Sequence, residues 1–174
     1  MVEYDPLETL ARIYLERKGY LVRTNVPVGN KELDILAMKD DEVILGECRA
    51  NLGWYKGRRR GAGYVGGDEE LIKREHFEQI RSEIEKSYPL SNKKIRFVLF
   101  YREPTSVKSY VQRARQEGIE TISTFEVIKG LVKLWKGEIS LKKGRWGRRA
   151  IEPIDWFAKE LAFLEVQGKL KWRD

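Results

Sequence analysis

The chain has 174 residues, with 34 lysines and arginines against 27 aspartates and glutamates, a formal net charge of +7, one cysteine and one histidine. That length suits one well-packed domain with an appendage, and a single cysteine excludes an intramolecular disulfide and fits a reducing setting. No early apolar stretch resembles a signal peptide and no run approaches the roughly 20 apolar residues of a membrane-spanning helix, so a cytoplasmic protein with no membrane partner is expected; the lone His76 removes histidine-based triads and most zinc sites from consideration.

Asp5 as a cap, Pro6 at the first position and Leu7, Leu10, Ala11, Tyr14 and Leu15 at helical spacing predict a helix over 5–18, stopped by Gly19. Residues 20–28 read as a strand interrupted by Pro27. Two apolar runs, 32–37 and 43–49, are joined by the polar Met38-Lys39-Asp40-Asp41-Glu42, which predicts an antiparallel hairpin. After a glycine-rich loop, a helix is predicted over 68–87, with Ile72, Phe77, Ile80 and Ile84 facing inward. His76, in a highly charged part of that helix, is expected at the surface. Residues 95–101 form a near-continuous apolar run typical of a strand buried on both faces. A helix over 106–117, a short parallel strand over 119–122 and a helix over 124–136 follow. Beyond Gly137 a basic stretch leads into an amphipathic helix over 153–167 carrying Ile154, Trp156, Phe157, Leu161 and Leu164. This order predicts an α/β fold of three layers, a mixed central sheet flanked by helices over 1–136, and a basic linker with a C-terminal helical extension over 137–174.

Three acids stand out against that pattern. Asp34 and Glu47 each interrupt an apolar strand, and an unpaired buried carboxylate costs several kcal/mol, about 2–7 for a polar group without a partner. A divalent cation is the simplest compensation, and hard carboxylate oxygens suit Mg²⁺ or Mn²⁺, which keep several waters and activate one against a phosphodiester. Alternation along the strand puts Glu47 and Arg49 on one face and Gly46 and Cys48 on the other. Plainer readings stand beside these. Glu8 is also an ordinary solvated helix acid, Asp34 the outer face of an amphipathic strand, Glu47 with Arg49 a same-face ion pair, and Cys48 a small buried side chain.

A helical Glu8, the segment Gly19-Tyr20-Leu21-Val22-Arg23, a strand aspartate and then Glu47-Cys48-Arg49 resemble the PD-(D/E)xK nuclease superfamily, with its restriction endonuclease-like core, most closely the archaeal Holliday junction resolvase and Mrr-like branches. The resemblance implies that Asp34 and Glu47 bind Mg²⁺ or Mn²⁺ together with the backbone carbonyl of Cys48, that Glu8 assists, and that the protein is an endonuclease acting on branched or structured DNA in repair or recombination. The chain departs from the pattern where a lysine activates the attacking water, because that position holds Arg49. A guanidinium is permanently charged and cannot act as a base at ordinary pH, although it can neutralise charge on a phosphate. Lys31, three residues before Asp34, or Lys56, in the next loop, could supply an amine from elsewhere. A non-catalytic DNA-binding module on the same fold is therefore the alternative.

The charge distribution points to DNA as the partner. Residues 48–67 hold Arg49, Lys56, Arg58, Arg59 and Arg60 without an acid, beside Trp54, Tyr55 and Tyr64. Residues 141–150 hold Lys142, Lys143, Arg145, Arg148 and Arg149, again without an acid, beside Trp146. Cations for phosphates next to rings that stack are the footprint of a nucleic-acid surface, and a solvated charge run is the plainer reading of each. Such contacts give affinity and orientation more than base specificity and do not separate DNA from RNA. Symmetric cutting of two strands makes a homodimer a further expectation.

Overall fold

The computed structural model describes residues 6–50, 68–102, 108–141 and 153–172. The chain divides into two compact units, Met1–Thr124 and Phe125–Asp174. In the first, α1 (Pro6–Arg17) is followed by β1 (Leu21–Val28), β2 (Lys31–Lys39) and β3 (Glu42–Arg49), then α2 (Asp68–Leu71), α3 (Arg74–Glu85), β4 (Lys94–Tyr101), α4 (Lys108–Gln116) and β5 (Glu120–Ser123). The strands form one mixed sheet in the order β1-β2-β3-β4-β5. Its first two pairings are antiparallel and its last two parallel.

Helix α1 ends where the sequence places its stop. Gly19 takes a φ of 90°, and the Gly19 and Tyr20 N–H groups donate back to the Glu16 and Leu15 carbonyls at 3.0 and 3.1 Å. Pro27 does not interrupt β1, because it pairs with Glu32 on a strand at the edge of the sheet. The tight turn at Gly29-Asn30 is closed by the Val28–Lys31 pair. In a two-residue hairpin that closing pair exchanges the ladder bonds, so the neighbouring Pro27 turns its hydrogen-free nitrogen outward.

On one face of the sheet, Leu33, Val43, Leu45, Phe97, Leu99 and Tyr101 pack with Ile72, Phe77, Ile80 and Ile84 from the α2–α3 region and Val111 and Ala114 of α4. The alternating residues Ile44, Cys48, Val98 and Phe100 are also buried. Helix α1 packs against β1 to β4 and contributes Leu7, Leu10, Ala11, Ile13 and Leu15 to the core on that second face. Two helical layers around a mixed sheet make this an α/β fold of three layers. Strand β3 lies at its centre and is buried along nearly its whole length.

The single helix expected over 68–87 is two. Lys73 adopts an extended backbone, φ −98° and ψ 135°, between α2 and α3. The break lets Leu71 and Ile72 enter the core together ahead of Phe77 and Ile80, and the Arg74 N–H at the new helix start donates to Glu117 Oε2 at 3.3 Å.

The second unit contains all but the first residue of α5 (Thr124–Leu141), a helix longer than expected, and α6 (Pro153–Val166). The buried Trp135 donates its indole N–H to the buried Asp155 at 2.9 Å, and Glu165 receives Lys136 at 2.6 Å and the Trp172 indole at 3.0 Å. The division after Thr124 groups most of α5 with the C-terminal residues, ahead of the 136/137 boundary expected. Among the described residues no helix is long and apolar enough to cross a membrane.

Candidate functional site

The register of the β2–β3 hairpin determines where its acids meet. Ile35 pairs with Gly46, so the next step along the ladder sets Asp34 opposite Glu47, and directly opposed residues of an antiparallel pair share a face. Regular pairing stops there. The Asp34 carboxylate takes over by accepting the Cys48 backbone N–H at 2.7 Å, and it also hydrogen-bonds with Glu47. Gly46 makes the close approach possible, since a Cβ there would sit 3.2 Å from both Ile35 Cβ and Phe100 Cε2. The Arg49 carbonyl accepts the Arg102 N–H on the β4 side, so both backbone groups of Cys48, one residue earlier, face β2 and the acids. The thiol of Cys48 is buried.

Asp34 is an acid in an unfavourable place. Burial, the neighbouring Glu47 and, more weakly, Glu8 push its pKa up from 3.8 to about 8, against the opposing pull of the Cys48 N–H. Glu8, half-buried in the first turn of α1, is therefore within electrostatic reach of Asp34. It is held there by Asn25, whose side-chain amide donates to Glu8 Oε2 at 3.3 Å. Asn25 has a φ of 53° and lies between the pairs Thr24–Ile35 and Val26–Leu33, across from Asp34. The left-handed backbone is one that asparagine tolerates better than most residues.

Glu47 is 5% exposed, and its Oε1 lies 2.9 Å from Nε2 of His76, itself 8% exposed. His76 is thus a core residue and not the surface residue expected. Its Nδ1 lies 3.8 Å from Glu70 Oε1, and Glu70 accepts Lys31 at 3.1 Å. Lys31 also donates to Gln79 at 3.0 Å, so this amine is committed to α2 and α3 rather than to the acid pair. Arg49 does not neutralise Glu47 as a same-face partner. Its Nε lies 3.8 Å from the carboxylate of Asp68, which is 3% exposed at the start of α2, while the arginine side chain remains 41% exposed.

Asp34, Glu47 and the Cys48 backbone thus come together, with Glu8 at the margin and Arg49 turned to Asp68. Among the described residues no group of three or more His, Cys, Asp or Glu side chains stands ready to enclose an ion. Two carboxylates and a carbonyl nevertheless fit Mg²⁺, which binds through one or two carboxylates and keeps waters or substrate oxygens in its other positions. Lys56, Arg58, Arg59, Arg60, Arg145, Arg148 and Arg149, expected to contact nucleic acid, lie outside the described residues. Sequence reasoning missed His76, Asn25 and Asp68. For His76 a signal existed, because Ile72, His76, Ile80 and Ile84 recur at a spacing of four, on one helical face. For Asn25 and Asp68 no sequence pattern announces the contact.

No protein-family model and no curated protein matches the chain. A solved structure described as the crystal structure of a protein of unknown function, AF1548, is similar at 18% identity and a TM-score of 0.41, covering 92% of this chain and 96% of that one.

Proposed function

We propose that the protein is a metal-dependent DNA endonuclease of the PD-(D/E)xK type, acting in the cytoplasm on branched or otherwise structured DNA in repair or recombination. The observation that carries this reading is the meeting of Asp34 and Glu47 at the point where β2 and β3 part, with Glu8 within electrostatic reach of Asp34. Acids brought together in a core repel one another, and folds keep such arrangements where a cation is to be held. The basic segments 48–67 and 141–150 support a polyanionic partner.

Asp34, Glu47 and the Cys48 carbonyl would hold Mg²⁺ or Mn²⁺, which when bound supplies Lewis-acid polarisation of a phosphodiester oxygen and an acidified water. Glu8, held by the Asn25 amide, would assist by adding negative charge near Asp34. Arg49 supplies a fixed positive charge for a phosphate, and an incoming phosphate competes with Asp68 for it. Arg49 takes up no proton at ordinary pH.

Purified protein is expected to nick a four-way junction or duplex in Mg²⁺ or Mn²⁺. Asp34→Asn should reduce cutting by more than the about 10–100-fold that follows loss of a ligand-orienting partner, while DNA binding persists. Absence of cleavage on every DNA form tested would defeat the proposal. One observation favours a second reading, a DNA-binding module without turnover: the water-activating position is occupied by an arginine already engaged with Asp68. Salt-sensitive DNA binding with no turnover in either metal is what that reading predicts.

A further inference from the structure

We infer that His76 is a positioning residue for the acid pair, holding the Glu47 carboxylate in the orientation that meets Asp34. The inference rests on the reading of Asp34 and Glu47 as metal ligands. A glutamate side chain has three torsions, and on the face of a central strand its carboxylate has several directions to choose from. Here one oxygen is fixed by a buried imidazole nitrogen at 2.9 Å, which leaves the rest of the carboxyl group for Asp34 and a cation.

The ring is itself held. It meets Phe77 edge to face, with centroids 5.5 Å apart and planes at 83°, and Phe77 stacks on Phe97 of β4 at 5.2 Å. A swing of His76 therefore requires the core under α3 to move. Its other nitrogen, Nδ1, is buried without a hydrogen-bond partner among the described residues and stands 3.8 Å from Glu70, which Lys31 secures from outside. Burying a polar atom unsatisfied is unfavourable, so an imidazole kept only for packing would be poorly chosen. What the ring secures in return is the direction of Glu47. Carboxylate ligands of metal sites are commonly oriented by a second hydrogen-bonded group, and loss of that group costs about 10–100-fold in metal affinity.

The length of the side chain provides the test. The amide of glutamine carries an N–H to about the place of the imidazole Nε2, whereas the asparagine amide falls short of it. Mn²⁺ binding to the wild-type, His76→Gln, His76→Asn and Asp34→Asn proteins, measured by electron paramagnetic resonance without DNA, separates the possibilities. The expected result is near wild-type affinity for His76→Gln and about 10–100-fold weaker binding for His76→Asn, with similar melting temperatures for the two. Equal Mn²⁺ affinity of the two variants would overturn the positioning role, because mere filling of the site does not distinguish them by reach. A wild-type protein that binds no Mn²⁺ through Asp34 would overturn the metal-site reading and this inference together. Wild-type binding that His76→Asn leaves intact overturns this inference alone.

Discussion

Asp34 works against the stability of the unit that carries it. Its carboxyl is pushed up to about 8, chiefly by burial and then by Glu47, so the metal-free folded chain holds this proton more tightly than the unfolded chain does. The stabilising contribution is fully present below about pH 4 and is lost as pH rises through about 8. Metal-free protein should therefore lose stability over that window, as read from urea midpoints, and Mn²⁺ should restore more of it at pH 8 than at pH 5. Asp34→Asn removes the repulsion and retains an oxygen for the Cys48 N–H, so at pH 8 without metal it is expected to stabilise by about 1 kcal/mol or more while abolishing cleavage. Arg49 makes the complementary case. Arg49→Lys introduces an amine able to act as a base, and cleavage should rise about tenfold or more if the surrounding scaffold is competent; silence with tight DNA binding favours the non-catalytic reading.

At the scale of elements, the hairpin is the device that makes the site, and Gly46 is its tightest point. Gly46→Ala would press a methyl group against Ile35 and Phe100 at 3.2 Å and spread β2 from β4 one residue away from Glu47. A loss of about 1–3 kcal/mol by chemical denaturation is expected, with metal affinity falling in parallel. The hairpin, α1 and the parallel strand β4 were legible because their apolar spacing and turn residues act locally. The convergence of Asp34 with Glu47 was legible in the same way, since strand pairing follows from a short connection. The break at Lys73 was not, because packing of Leu71 and Ile72 overrode a continuous helical pattern. His76 was hidden by its charged neighbours Arg74, Glu75 and Glu78 although its spacing marked the inward face, and the Arg49–Asp68 pair joins residues with no local rule between them.

Taken as a whole, the molecule carries a charge excess that the described residues only partly contain. Among them, Glu75, Glu78 and Glu83 make the groove between the β1–β2 turn and α3 acidic apart from Lys31. A polyanion is therefore expected to engage through the basic segments and not through that groove. Replacing Arg58, Arg59 and Arg60 by alanine should weaken duplex binding and lower the slope of log affinity against log salt by about 0.9 for each phosphate that is no longer neutralised, as read by fluorescence anisotropy. Pro27 has a consequence of another kind. Leu21 and Met38 lie uncovered beside the outer margin of β1, a place where another polypeptide could add itself strand by strand and start a precipitate. A proline nitrogen facing outward removes one donor from that margin, so Pro27→Val, harmless to the pairing with β2, should leave the fold intact and shorten the time the protein stays clear at high concentration.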